Sequence, residues 1–417
     1  MMKNLNNKNI KENCREQILF FALCRLNSIA FCLLLFAFCP SINAQTFTLQ
    51  NALDLATKNY PTMQQATLQT EQQQALTKTA TILDPFNINS NLGQINSKLF
   101  DYNVGVAQGF KLSNKADRNL LNQNVNVAKS FEAVTKSELI KNVSSAYFFW
   151  IYNVQQYNLL LEIDTIFAEY EKYADKKFQV GESNKLEKIS SALQRKDLKM
   201  QLAEANTQVS FYLTELQKWT RNSTNYQAPT KYEALPEINL SDSTLVKNHP
   251  ILQLLQQQII AKELAIKSEK AKANPSFNLG VNAQSLDKEN PFYFGSVGVN
   301  IPLFRNGIQA KTQVAKLETE IAKKELEKSQ QELATIYLQQ YQLQKQYLEQ
   351  LNYYKTEGIP MAETIVNSAQ RLYKSGDIGY IEYTQNLKDA NKIKNDYLTV
   401  MNNYNQTIIN IQYLLNK

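Results

Sequence analysis

The chain states one pattern twice, about 190 residues apart, and its landmarks keep their order. Lys58-Asn59-Tyr60-Pro61 returns as Lys247-Asn248-His249-Pro250, and Val104-Gly105-Val106 returns as Val297-Gly298-Val299. Phe178-Gln179-Val180-Gly181 with Glu187 returns as Tyr373-Lys374-Ser375-Gly376 with Glu382. A repeat this long exceeds the roughly 20–50 residues of a solenoid unit. It marks a duplicated half-molecule, so the fold must be two copies of one layout: residues 45–225, a linker over 226–242, and residues 243–417.

Glycine and proline are scarce, 11 and 10 in 417 residues, which leaves little turn punctuation. From Lys115 to Phe178 there is neither, and a helix of that length runs about 95 Å. Gly181 breaks it, and a return helix follows from about Asn184 to Trp219. Before it, helix is expected over residues 47–84, interrupted at Pro61 and ended by Asp84-Pro85. Two strands follow, over about 86–92 and 102–112. The second copy repeats the plan. Its first helix runs from about Pro250 to Asn274-Pro275, its strands cover about 277–284 and 292–303, and Asp287–Pro291 form a polar turn. A long helix from near Ile308 to Tyr373 should kink at Gly358 and Pro360, and a last helix follows Gly376 and Gly379. Helices of this length need partners. Leu333, Tyr337, Tyr341, Leu348 and Leu351 form an apolar stripe at helical spacing, and Ala146–Tyr152, apolar all round, reads as core. The expected class is mainly α, in long antiparallel coiled-coil helices, with four strands per chain.

The leader, residues 1–44, places Lys3, Lys8, Lys11, Arg15 and Arg25 before an apolar run of about ten residues and a small-residue end at Asn43-Ala44, the layout of a cleaved secretory signal. A retained membrane anchor is the competing assignment, but the run is short of the roughly 20 residues a spanning helix needs. All four cysteines (Cys14, Cys24, Cys32, Cys39) lie in it, none after a small residue as lipid attachment would ask. The exported chain would hold no disulfide and no thiol nucleophile. Of the net charge of +7, about +4 remains after the leader, too dispersed for a nucleic-acid partner.

The strands have the length a tilted strand needs to cross a bilayer. They also alternate, as in Tyr293, Gly295, Val297, Val299 against Phe294, Ser296, Gly298, Asn300. Lipid on one side and water on the other ask for this pattern; two soluble hairpins capping a helical rod would satisfy it too. Four strands cannot close a barrel alone, and an open edge in lipid leaves backbone groups unpaired at several kcal/mol each. Strands that enter a membrane must therefore be shared among several chains.

At Ile301-Pro302-Leu303-Phe304-Arg305-Asn306-Gly307 the chain resembles the TolC family of outer-membrane efflux factors, which carry a similar Pro-Leu-Phe-x-x-Gly where the last strand enters the long helix. Ala273-Asn274-Pro275, Arg371-Leu372-Tyr373-x-x-Gly376 and Phe47-Thr48-Leu49-x-x-Ala52-Leu53-x-x-Ala56 are similar too, and the resemblance spans residues 46–416. The first copy departs from it, with Gln108-Gly109-Phe110-Lys111-Leu112 in place of Pro-Leu-Phe. The resemblance implies a homotrimer with a twelve-stranded transmembrane β-barrel in the outer membrane, continued by a helical barrel into the periplasm. It also implies a periplasmic adaptor and an inner-membrane pump as partners. The stretch around Gln94-Ile95-Asn96-Ser97 resembles the branch paired with cation-efflux pumps of the resistance-nodulation-division class. Gly181 and Gly376 then mark the tips that contact the adaptor, and Glu187, Glu382 and Asp377 are possible gate acids. For each acid the alternative is a solvated carboxylate favoured by a helix dipole.

No catalytic, cofactor or metal constellation is visible. The exported chain's only histidine, His249, replaces Tyr60 of the first copy and reads as a linker residue. No phosphate loop or nucleophile elbow is present. The expected function is a passive conduit, and not an enzyme. The rival is a periplasmic adaptor or coiled-coil scaffold, which would need one helical hairpin between β-rich domains.

Overall fold

The structure, a computed structural model, describes residues 47–81, 84–95, 98–111, 114–224, 226–239, 243–286 and 289–417. The leader with its four cysteines, the residues Asn96, Ser97, Leu112, Asp287 and Lys288, and the end of the linker at Asp242 lie outside these. Helices α1 (Leu49–Asn59) and α2 (Pro61–Thr77) are followed by a 3₁₀ turn (Lys78–Thr81), strands β1 (Asn87–Gly93) and β2 (Asp101–Lys111), and helices α3 (Asn114–Gln179) and α4 (Lys185–Thr220). After the linker and a second 3₁₀ turn (Ser243–Asn248) come α5 (Pro250–Ala271), β3 (Ser276–Leu286), β4 (Glu289–Asn300), α6 (Asn306–Tyr353), α7 (Ile359–Ser375) and α8 (Tyr380–Leu415). Among the described residues no helix is long and apolar enough to cross a membrane.

The two halves begin with the same device. Tyr60 and His249 hold extended backbone before a proline at the first helical position, where the missing N–H costs nothing and φ is already set. Helices α3 and α6 replace the short interrupted helices with long ones because nothing punctuates them. The kink expected at Gly358 is a π-turn over Tyr354–Gly358. There a Cβ on Gly358 would lie 2.9 Å from the Tyr354 ring and 3.4 Å from Ile393, so the missing side chain lets this segment press against α8.

Among the described residues, three apolar clusters bind the helices. One joins Ile163, Phe167 and Tyr170 of α3 to Leu198 of α4, Val366 and Tyr373 of α7, and Tyr383 and Leu387 of α8. The others surround Tyr404 and Tyr337. The expected core stretch is buried at Ala146, Tyr147, Phe148, Trp150 and Ile151. The linker packs against the helices: Leu235 N–H donates to Asn405 Oδ1 (2.8 Å), Asn405 Nδ2 to Glu233 O (3.1 Å), and Gln344 Nε2 to Ile238 O (3.1 Å). Asn405 and Gln344 are fully buried, so these amides satisfy linker backbone that would otherwise be buried unpaired.

The four strands form one antiparallel sheet in the order β1-β2-β3-β4. The central pair, β2 with β3, joins the two copies, in register from Asn103↔Gln284 to Lys111↔Ser276. Strands β1 and β4 are the sheet's edges, each paired on one side only among the described residues. Strand β4 ends at Asn300, short of the expected 303, because Pro302 lacks the N–H a ladder needs. It also starts earlier than expected, at Glu289. Pro291 is accommodated there beside the register shift between Gln284 and Leu286.

Candidate functional site

Strand alternation and register together divide the sheet into two chemically distinct faces. On one, Ile88 lies across from Val106, Val106 from Val281, and Val281 from Gly295. Neighbouring rows add Val104, Ala283 and Tyr293, then Leu279 and Val297, then Phe110, Phe277 and Val299. Ser90 and Gln108 are its polar exceptions, and the Gln108 amide turns to donate to Asp84 O and Gly109 O. Val281, Val297 and Tyr293 are 70%, 75% and 80% exposed. The opposite face carries Asn87, Asn89 and Asn91, then Asn103, Gly105, Ala107 and Gly109, then Asn278, Gly280, Asn282 and Gln284, then Ser296, Gly298 and Asn300. Over residues 87–91, 103–109, 276–284 and 292–300 it holds no charged side chain. A continuous exposed apolar surface of this kind marks an interaction site. Here it is one whole side of a sheet whose other side is mostly amides, hydroxyls and glycines.

The far end of the helices is the second site. At both tips a left-handed glycine closes the helix: Gly181 at φ 80° and Gly376 at φ 87°. Glu182 N–H donates to Lys177 O (2.9 Å) and Gly181 N–H to Phe178 O (3.2 Å). At the other tip Asp377 N–H donates to Leu372 O (3.0 Å) and Gly376 N–H to Tyr373 O (3.3 Å). This is the Schellman arrangement, twice, and only glycine adopts it without a backbone penalty. Both glycines are exposed, and a Cβ on either would meet nothing within 4 Å.

The acids beyond the glycines occupy unlike surroundings, although the sequence pairs Glu187 with Glu382. Glu187 is buried. Its N–H donates to Asn184 Oδ1 (2.9 Å), Ser183 Oγ donates to Glu187 Oε2 (2.6 Å), and Tyr373 Oη donates to Glu187 Oε1. Both carboxylate oxygens are thus engaged within the chain, so Glu187 does not present the free carboxylate expected of a gate acid. It ties the α3–α4 hairpin to the α7–α8 hairpin. Tyr373 stacks on Tyr383 at 4.6 Å, with Tyr170 edge-on to both. Burial first, then the bond to Glu187, pushes the Tyr373 hydroxyl's pKa well up, so it stays a donor. Glu382 and Asp377 are exposed, and Asp377 Oδ2 accepts from Ser375 Oγ (2.5 Å).

The strand-to-helix motif is likewise at the surface. Pro302, Leu303 and Phe304 lie between β4 and α6, Gly307 is the second residue of α6, and Phe304 is 96% exposed. His249 is a buried cap rather than a linker residue. Its Nδ1 accepts from Ile251 N–H (3.2 Å), and its ring packs edge-on to Tyr413 at 4.8 Å. Burial, then nearby Lys141, lowers its pKa to about 4. Among the described residues no group of three or more His, Cys, Asp or Glu could hold a metal ion.

Residues 242–417 match the sequence profile of the family described as outer membrane efflux protein. No curated protein sequence matches the chain. In fold it is similar to CusC, from a structure described as reviewing conformational changes in folding and transmembrane channel formation (TM-score 0.76, 16% identity, 88% of this chain and 91% of that one). It is also similar to the Campylobacter jejuni CmeC outer membrane channel (TM-score 0.75, 15% identity, 88% and 85%). The open state of the Neisseria gonorrhoeae MtrE outer membrane channel is a third such structure (TM-score 0.72, 15% identity, 88% and 88%). The second copy thus carries the sequence profile of the outer membrane efflux protein family, and the chain as a whole shares its fold with these channel structures.

Proposed function

We propose that the chain is the outer-membrane channel of a tripartite efflux system, acting as a passive conduit. Three copies each contribute one sheet, β1 of one pairing with β4 of the next, so that twelve strands close a barrel and no edge remains in lipid. The helices continue it into the periplasm, where the tips at Gly181 and Gly376 meet a periplasmic adaptor and, through it, an inner-membrane pump of the resistance-nodulation-division class. Glu382 and Asp377, both exposed, are the gate acids of this proposal; Glu187 instead holds the two hairpins of one copy together. The observation that carries the proposal is the four-stranded sheet with two free edges and one continuous exposed apolar face. A soluble sheet would cover that face, whereas a bilayer covers it without any further element. Metal cations are one cargo class that the resemblance suggests.

The test is efflux in a strain that lacks the gene and is complemented in trans. The intact chain should lower accumulation of a fluorescent efflux dye, and Val281→Asp with Val297→Asp on the apolar face should abolish both outer-membrane recovery and efflux. Asn282→Asp on the polar face should preserve both. Charged apolar-face variants that still reach the membrane and pump normally would overturn the proposal.

A further inference from the structure

We propose that Phe292 and Phe294 form an aromatic collar inside the outer mouth of the barrel that binds aromatic organic cations; this rests on the trimeric channel proposed above. They are the two large apolar side chains on the otherwise polar face of the sheet. Phe294 pairs with Asn282, which pairs with Gly105, which pairs with Asn89. Phe292 pairs with Gln284, then Asn103, then Asn91. Both rings are about half exposed. Tyr293 between them faces the other way, with Ala283 and Val104.

The surroundings of Phe294 form a built surface. A Cβ at Gly105 would collide with the Asn282 and Asn89 side-chain oxygens, so two carboxamides converge over the bare backbone of that strand. Asn282 Nδ2 donates onward to Ser296 Oγ (3.0 Å). Phenyl faces beside amide oxygens suit a large, weakly hydrated cation: the ring quadrupole attracts it, and each ring adds stacking area. A small divalent ion finds no carboxylate there to replace its water.

Position adds to chemistry. Both residues sit next to the β3–β4 turn, at the end of the sheet away from α5 and α6. A twelve-stranded barrel at ordinary spacing and ~40° tilt has a backbone diameter of roughly 24 Å. Six phenyl groups projecting into such a ring narrow it.

The experiment records single-channel conductance of the full chain in planar bilayers, with tetraphenylphosphonium added on the outer side. The collar predicts concentration-dependent block of the wild-type pore. The double variant Phe292→Ala with Phe294→Ala should raise conductance and weaken block by about tenfold or more, and Phe294→Tyr should retain block. Equal block of the wild type and the double variant, or no block of either, overturns the collar and leaves the channel standing. Failure of the wild type to form any pore removes the channel proposal and the collar with it.

Discussion

Replacing Tyr373 with Phe removes one oxygen and leaves almost everything else in place. The ring keeps its stack on Tyr383 and its edge contacts with Tyr170 and Tyr173, so packing loss is small. What goes is the O–H that donates to Glu187 Oε1. Among the described residues, the buried carboxylate then keeps Ser183 as its only side-chain hydrogen-bond donor. A hydrogen bond to a charged group contributes ~1.5–3 kcal/mol, and stranding its buried partner costs a similar amount. Because the two residues belong to different hairpins, the loss falls on the contact between hairpins. Opening at the tip should become roughly 10- to 100-fold more frequent. Hydrogen exchange read by mass spectrometry should show that acceleration in residues 178–190 and 370–383, with peptides around Trp150 and Tyr404 unchanged. Adding Glu187→Gln should recover much of the loss, because a neutral amide tolerates the missing donor, and the double-mutant cycle should return a coupling above ~1 kcal/mol. Exchange at the tip within threefold of wild type, or simple additivity, would refute the tie between hairpins.

Three further outcomes follow from the same residues. His249 is held neutral, its pKa lowered to about 4 from 6.5. The unfolded chain therefore binds the extra proton first, and stability is complete above pH ~6.5 and falls by up to ~3 kcal/mol as pH drops towards 4. His249→Asn, which can cap without titrating, should flatten that part of a thermal-melting profile. Val281→Arg should cost ~2–4 kcal/mol in bilayer-embedded protein if its face meets lipid, whereas Asn282→Lys on the other face should cost little; urea titration in lipid compares them. Gly376→Ala should destabilise by ~1–2 kcal/mol through left-handed backbone alone, since its Cβ meets no neighbour, and Gly376→Asn by less.

The parts of the fold that follow from local rules were legible in the sequence. Pro61, Pro250, Gly181 and Gly376 each set a backbone angle by themselves, and the helix boundaries they imply lie within a residue or two of the observed ones. The strands were legible for a similar reason, since alternation is a property of consecutive residues. Contacts between residues far apart in the chain were not. Glu187 and Glu382 match in sequence, but only Glu187 faces a tyrosine from the other copy. The linker's prolines gave no sign that Asn405 and Gln344 would bind its backbone. His249 was misjudged because a Tyr-to-His difference before proline does not reveal burial. Phe292 and Phe294 broke the alternation in plain view, yet only the cross-strand register shows that carboxamides surround them.

Everything proposed about transport depends on copies of one sheet sharing a closed cylinder, and subunit number in lipid tests that directly. Native mass spectrometry of the full chain released from nanodiscs should give three copies per particle. Asn89→Cys and Ser296→Cys, on the two edge strands, should trap covalent trimers when combined and none when placed singly. A particle of one copy in the bilayer, with the apolar face of Val281 and Val297 still embedded, would contradict the account.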